Sequence, residues 1–178
     1  MGSMTKLRSQ KSVAHARKYD ILIRAKASST EIDEVSRDSV EIESHSKGTV
    51  TGRLYSGIHW DTTEGTMMPG GKTKMKVKFL HITKTGEMII GQGVGTQQAP
   101  KSNGIADVEG EAVTWTIAQR LSLLNGARWS FRGKYDMQKG ALEVGGNIVS
   151  EGSADQRIDE DTTFGRATDE QDENGSHE

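Results

Sequence analysis

An all-β fold, about eight antiparallel strands closed into a small barrel, is what this sequence predicts, and three observations predict it. From Lys72 to Thr83 the chain alternates Lys72, Lys74, Lys76 and Lys78 with Thr73, Met75, Val77 and Phe79, the period of a strand with one wet face and one buried face. Turn signals at Pro69-Gly70-Gly71, Lys84-Thr85-Gly86, Asn125-Gly126 and Lys139-Gly140 separate short apolar runs. No stretch carries a long helical period. Closure of eight antiparallel strands removes exposed edges and leaves an interior that is filled by side chains or holds one small ligand. A two-sheet β-sandwich shares most of this pattern and is the alternative.

The strands follow in order. Ile21, Ile23, Ala25 and Ala27 alternate with Leu22, Arg24 and Lys26 in the first, and Ser28 to Asp38 reads as polar, with a helical turn starting near Thr30. Val40 and Ile42 alternate with Glu41 and Glu43 in a second strand ending near His45. Ser46-Lys47-Gly48 reads as a turn into a third strand, Thr49 to Ile58, and His59 to Gly71 as a loop. After the lysine-rich fourth strand comes Glu87 to Gly95, where Met88, Ile90, Gln92 and Val94 share one face and Gly91, Gly93 and Gly95 the other. Glycines spaced by two suggest a sharply coiled wall or a close neighbour. Ile105 to Ala118 is the sixth strand, with Gln119 to Leu124 either extending it or making one helical turn. Asn125-Gly126 signals a type I′ hairpin. Trp129, Phe131, Gly133 and Tyr135 then share a face of the seventh strand, and Leu142, Val144, Gly146 and Ile148 one of the eighth.

Composition divides the 178 residues into three parts. Residues 1–19 form a basic arm, in which Met1-Gly2-Ser3-Met4 reads as a cloning remnant and Lys11 to Tyr19 as a short helix or loose chain. Residues 20–150 form the barrel domain. Residues 151–178 carry ten acids against Arg157 and Arg166, with Phe164 their one aromatic, and read as a disordered acidic tail. With no cysteine, disulfides and thiolate metal sites are excluded. No apolar run approaches the roughly 18 residues of a membrane span, so a cytoplasmic protein without a membrane partner is expected.

The segments Gly48-Thr49-Val50-Thr51-Gly52, Thr83-Lys84-Thr85-Gly86-Glu87-Met88-Ile89 and Arg120-Leu121-Ser122-Leu123-Leu124-Asn125 resemble a family of small bacterial β-barrels of unassigned function. More loosely, the strand layout over residues 20–150 resembles the calycin-type barrels, including the allene oxide cyclase-like group. That resemblance implies a lumen that binds or cyclises apolar ligands. The unassigned family carries Asp before Trp after the third strand, whereas here Trp60 precedes Asp61. No catalytic residue transfers from either group.

Candidate chemistry rests on which side chains face inward. If Trp115 and Val113 do, Glu111 and Glu109 do too, and a desolvated Glu111 becomes a usable acid or base; in the other phase Val108, Gly110, Ala112, Thr114 and Thr116 face in and both glutamates lie in water. His81 extends the Met75, Val77 and Phe79 row, where an imidazole could move a proton or simply bond a backbone group. Arg120 could pair with Glu111 or grip a ligand. Phe79, Trp115, Trp129 and Phe131 are candidate walls, and Gln92 and Tyr135 candidate polar tips. In phase with Leu54 and Ile58, Trp60 points in while His59 and Asp61 point out, leaving Trp60 and Asp61 a rim role. No histidine pair has metal-binding spacing, and Gly91-Gln92-Gly93-Val94-Gly95 lacks the helix of a nucleotide fingerprint, so no metal or cofactor is expected.

Three functions follow. The first is a cofactor-independent isomerase, cyclase or lyase acting on a small apolar molecule through acid/base groups. A non-catalytic carrier or sensor is the second. The third is non-specific nucleic-acid binding through the Lys72 to Lys78 ridge, against which stand the acidic balance and the inward Phe79. Homo-oligomerisation is left open.

Overall fold

The structure, a computed structural model, describes residues 18–152. Most of the basic arm, the Lys11 to Tyr19 helix and the acidic tail therefore lie outside the described residues. Eight strands run in order: β1 (Ile21–Val35), β2 (Val40–Gly52), β3 (Ser56–Met67), β4 (Thr73–Thr83), β5 (Met88–Gln97), β6 (Ile105–Thr116), β7 (Ala127–Asp136) and β8 (Ala141–Ser150). Each pairs antiparallel with its neighbour in sequence, and β8 pairs with β1 from Ile21↔Gly146 to Lys26↔Ala141, so the sheet is a closed barrel. That last ladder rules out the sandwich.

The strand count agrees with the sequence reading, but two boundaries move. Ser46-Lys47-Gly48 is no turn, because β2 runs straight through it, opposite both β1 and β3. Gly48 is needed for close approach: a Cβ there would stand 1.9 Å from the Arg24 carbonyl oxygen. The chain turns instead at Arg53 to Tyr55, and the presumed loop from His59 onward is most of β3. Nor is there a helical turn near Thr30, since β1 continues to Val35, bulged between Ala27 and Ser29 and between Ile32 and Glu34.

The two ends of the barrel differ. At one end Ile21, Ile23, Val50, Ile89 and Trp129 pack with Tyr55 and with Leu121 and Leu124 of a 3₁₀ turn, Gln119–Leu124. Hydrogen bonds seat that turn: the Trp129 indole donates to Thr114 Oγ1 (2.9 Å), which donates to the Leu124 carbonyl (3.0 Å). The Asn125 side chain accepts from the Thr116 amide at 2.7 Å. Asn125-Gly126 is consequently not a type I′ hairpin, for Asn125 has φ −73° and only Gly126 is positive, at 75°. The other end is hollow. A cavity of about 520 Å³ reaches from Phe131, Val144 and Asp61 at mid-barrel to Met67, Thr73, Gln97 and Met137 near the far rim.

Trp129 is 1% exposed and wedges the packed end. Trp129→Ala is expected to lower the unfolding free energy by about 3–5 kcal/mol, measured by urea denaturation. A loss within 1 kcal/mol would contradict a solid core at that end.

Candidate functional site

The floor of the cavity is built by β3 and β4. Inward residues alternate along each strand, so His59, Asp61 and Thr63 of β3 face the lumen beside Val77, Phe79 and His81 of β4. Register places His59 directly opposite His81 and Asp61 opposite Phe79. Tyr55, in the turn before β3, comes up beneath His81.

These side chains form one hydrogen-bonded chain. Tyr55 Oη lies 2.8 Å from His81 Nδ1, His81 Nε2 lies 2.9 Å from His59 Nδ1, and His59 Nε2 lies 2.7 Å from Asp61 Oδ2. Thr63 Oγ1 donates to the other carboxylate oxygen at 3.3 Å. With both rings neutral, one direction of donation satisfies every atom. The Tyr55 hydroxyl donates to His81, His81 Nε2–H to His59, and His59 Nε2–H to the Asp61 carboxylate. Tyr55, His59 and His81 are 5%, 3% and 0% exposed. An unmet donor or acceptor among them would cost about 1–3 kcal/mol, so each member holds its neighbours in place.

Burial sets the protonation of the deep end. It drives the His81 pKa well below the ordinary histidine value, with the charge of a protonated His59 pushing the same way. It also pushes the Tyr55 phenol far up, keeping that hydroxyl a donor. The Tyr135 phenol is raised first by burial and then by the carboxylates of Asp136 and Asp61. Phe79 lies on His81, with centroids 4.9 Å apart and planes 29° apart, and meets Phe131 edge-on. Its ring sits over Gly91, where a Cβ would stand 2.2 Å from it. Gly146 makes the same allowance for Phe131. The glycine face of β5 is therefore the inner face, and Gly93 and Gly95 leave the cavity wall without side chains.

The residues expected to form the site divide in two. Asp61, Phe79, Phe131 and Tyr135 line the cavity, His81 lies just beneath it, and Trp129 is sunk in the packed end. Trp60, Gln92 and Trp115 are on the outer wall, in a concavity shared with Lys47, Lys78, Leu80 and Ile90. The phase of β3 is the inverse of the one its sequence predicts: Trp60 points out, while His59 and Asp61 point in. The chain leaves the sheet at Arg53 to Tyr55, and the alternation restarts there.

Glu111 also points out. Ala112, Thr114 and Thr116 face inward, and the Glu111 side chain is 66% exposed, 3.3 Å from Arg128. Arg120 is on the outside of the closed end, where its guanidinium grips Glu87 and reaches Thr85. That guanidinium first, then the Thr85 and Thr83 hydroxyls, holds the Glu87 carboxyl at about 2. His59, expected to point outward, is inward, and Tyr55 and Thr63 join it without a signal of their own beyond the strand period of His59-x-Asp61-x-Thr63. Among the described residues no group of three or more His, Cys, Asp or Glu is placed to hold a metal ion, and no helix is long and apolar enough to cross a membrane.

No protein-family model matches the chain, and no curated protein matches it. Solved structures do. A protein of unknown function from Clostridium acetobutylicum is similar with TM-score 0.65 at 9% identity, over 73% of this chain and 95% of that one. A conserved protein of unknown function from Rhodopseudomonas palustris gives 0.58 at 14%, over 73% and 93%. An enzyme from Penicillium herquei gives 0.50 at 16%, over 72% and 91%. At these identities the likeness is one of fold, shared with small bacterial proteins of unassigned function.

A buried neutral histidine makes stability depend on pH with a definite sign. An unfolded histidine titrates near about 6.5, so below that value the unfolded chain binds a proton that folded His81 does not. The contribution is complete above about 6.5 and is lost as pH falls, with a slope of up to about 1.4 kcal/mol per pH unit. Thermal melts between pH 8 and 5 should show the decline, and His81→Gln should flatten it. An equal slope in the variant would contradict the assignment. Glu87 acts in a separate, lower window, its contribution being lost as pH falls from about 4.5 to about 2.

Proposed function

We propose that the protein binds a small, largely apolar molecule in the open half of the barrel and acts on it by acid/base chemistry, with Asp61 as the proton-transferring group. One observation carries this reading: a buried chain of three donors, Tyr55, His81 and His59, ends on a carboxylate that faces a cavity. Ordinary core packing gives no reason to assemble such a chain beneath an apolar chamber. The cavity volume of about 520 Å³ lies within the roughly 300–1,000 Å³ of small-molecule sites.

In this reading Asp61 Oδ1 takes a proton from an acidified C–H or an O–H of the ligand. Bonds from His59 and Thr63 hold the two carboxylate oxygens, and the chain behind His59 keeps its imidazole in the donating tautomer. Returning the proton to a different atom completes an isomerisation or ring closure with no net gain or loss. Elimination of a leaving group at the neighbouring carbon would make it a lyase. Phe79, Phe131 and Tyr135 supply dry walls that hold the ligand in a reactive shape. The chemistry uses the chain's own groups and calls for no cofactor, and the proposed setting is the cytoplasm. Likeness in fold to a fungal enzyme is compatible with catalysis and carries no substrate with it.

Melting shifts across a library of neutral apolar compounds test the container, since a ligand bound only by the folded state must stabilise it. Ligands so found are then followed for conversion. Asp61→Asn is expected to keep the melting shift and lower the rate by about 10²–10⁴-fold. Binding without turnover in the unaltered protein would leave a carrier. Absence of any shift would end the container reading.

A second reading has one observation in its favour. Outward Trp60 and Trp115 share a concavity with Lys47 and Lys78, and the Lys47 ammonium stands 5.6 Å above the Trp60 ring. Bases stack on such rings while lysines meet phosphates, so salt-dependent binding of oligothymidylate would support nucleic-acid recognition on the outer wall.

A further inference from the structure

We infer that the Tyr135 phenol is the cavity's second catalytic group: it donates a hydrogen bond to a carbonyl oxygen of the ligand while Asp61 takes a proton from the carbon beside it. The substrates are then ketones or aldehydes with a proton on the carbon next to the carbonyl. The inference rests on the acid/base reading of the cavity and adds to it the partner of Asp61 and the class of substrate. Tyr135 shares the inner face of β7 with Trp129 and Phe131 and lines the cavity. Among the described residues no group bonds its hydroxyl, and the buried polar atom left unpaired is that of Thr73, so the phenol oxygen is open to the chamber.

Register puts the phenol level with the base. Ala27, Ser46 and Asp61 form one row across β1, β2 and β3. The Tyr135 hydroxyl reaches the Ala27 end of that row: a Cβ on Gly140 would stand 3.4 Å from the Ala27 Cβ and 3.8 Å from Tyr135 Oη. Two ladder spacings, roughly 10 Å along the wall, separate Ala27 from Asp61. The contacts from carboxylate through H–C–C=O to a phenol span roughly 8 Å. With Asp61 and Tyr135 both directed into the lumen, one carbonyl and its neighbouring carbon fit between them.

Charge explains why a donor is needed there. Loss of the proton sends the C–H electron pair into a new C=C bond and the carbonyl π pair onto oxygen, and that oxyanion is costly in a dry chamber without a donor. His59 and Thr63 are committed to the carboxylate, and no lysine or arginine lines the cavity among the described residues. The phenol supplies the bond and keeps its proton, because burial first, then the carboxylates of Asp136 and Asp61, raises its pKa above the ordinary value. When the pair returns from oxygen, Asp61 delivers the same proton to another carbon of the conjugated system. An unsaturated ketone leaves with its double bond moved, and nothing is oxidised or reduced.

The ketone 2-tetralone and its oxygen-free counterpart tetralin test this. Binding is measured by calorimetry, and proton removal by deuterium uptake into 2-tetralone from heavy water, followed by NMR. Tyr135→Phe should weaken 2-tetralone about three- to tenfold, the worth of one hydrogen bond, and leave tetralin within about twofold. At saturating 2-tetralone it should slow deuterium uptake by about 10²–10³-fold. The melting temperature of the ligand-free variant should not fall, because the hydroxyl has no partner to lose. Unchanged 2-tetralone binding in Tyr135→Phe, undiminished uptake in that variant while Asp61→Asn loses it, a lowered melting temperature, or a loss that follows Ser46→Ala instead would each overturn the inference and leave the acid/base reading standing. If 2-tetralone binds and the unaltered protein takes up no deuterium into it, the acid/base reading fails and takes this one with it. If neither compound binds, the container reading fails as well.

Discussion

Two imidazoles buried side by side are tolerated only when their protons are arranged for each other, and in this barrel the arrangement depends on the pairing of His59 with His81 across β3 and β4. Each ring has one nitrogen to donate and one to accept. The contact uses one nitrogen of each ring, leaving His81 Nδ1 for the Tyr55 hydroxyl and His59 Nε2 for the Asp61 carboxylate. Shift the register of β3 by one residue and His59 and Asp61 turn to the outer wall, leaving His81 on β4 without its partner. The polar chain and the register of the sheet therefore specify one another, as buried networks do when each member is satisfied.

The same register divides the barrel into a packed half and a hollow half. Below the histidines, Trp129, Ile89, Val50 and the residues of the 3₁₀ turn fill the interior. Above them, Gly65, Gly93, Gly95 and Gly110 stand where side chains would otherwise fill the space, and the cavity results. Phe79 lies at the boundary, held over Gly91 and against His81. Its ring is both roof to the buried chain and part of the cavity floor. Hence Asp61, with its partners His59 and Thr63, faces the cavity, while His81 and Tyr55 lie beneath it.

Much of the fold could be read from the sequence, and the failures share one cause. Where charged and apolar residues alternate, as from Lys72 to Thr83, the inner face was plain. The Trp129 to Tyr135 and Ile21 to Ala27 rows were legible for the same reason, and so was closure into eight strands. In β5 both faces looked unusual. Glycine proved to be the inner choice because the ring of Phe79 needed room, a demand that arises only from across the sheet. In β3 the alternation does not pass through Arg53 to Tyr55, where the chain leaves the sheet, so a phase counted from Leu54 puts Asp61 on the wrong side and nothing local marks His59 onward as strand rather than loop. The partnership of His59 with His81 joins residues 22 apart in sequence, and only register makes them neighbours.

The account stands or falls on the one-way chain of donors that ends at Asp61, and nitrogen-15 NMR of the histidine rings measures it most directly. The account predicts that His81 carries its proton on Nε2 alone, with an unprotonated Nδ1 accepting from Tyr55, and that it stays so as pH is lowered to 5. A second proton appearing on His81 near the value of a free imidazole, or its single proton found on Nδ1, would contradict it.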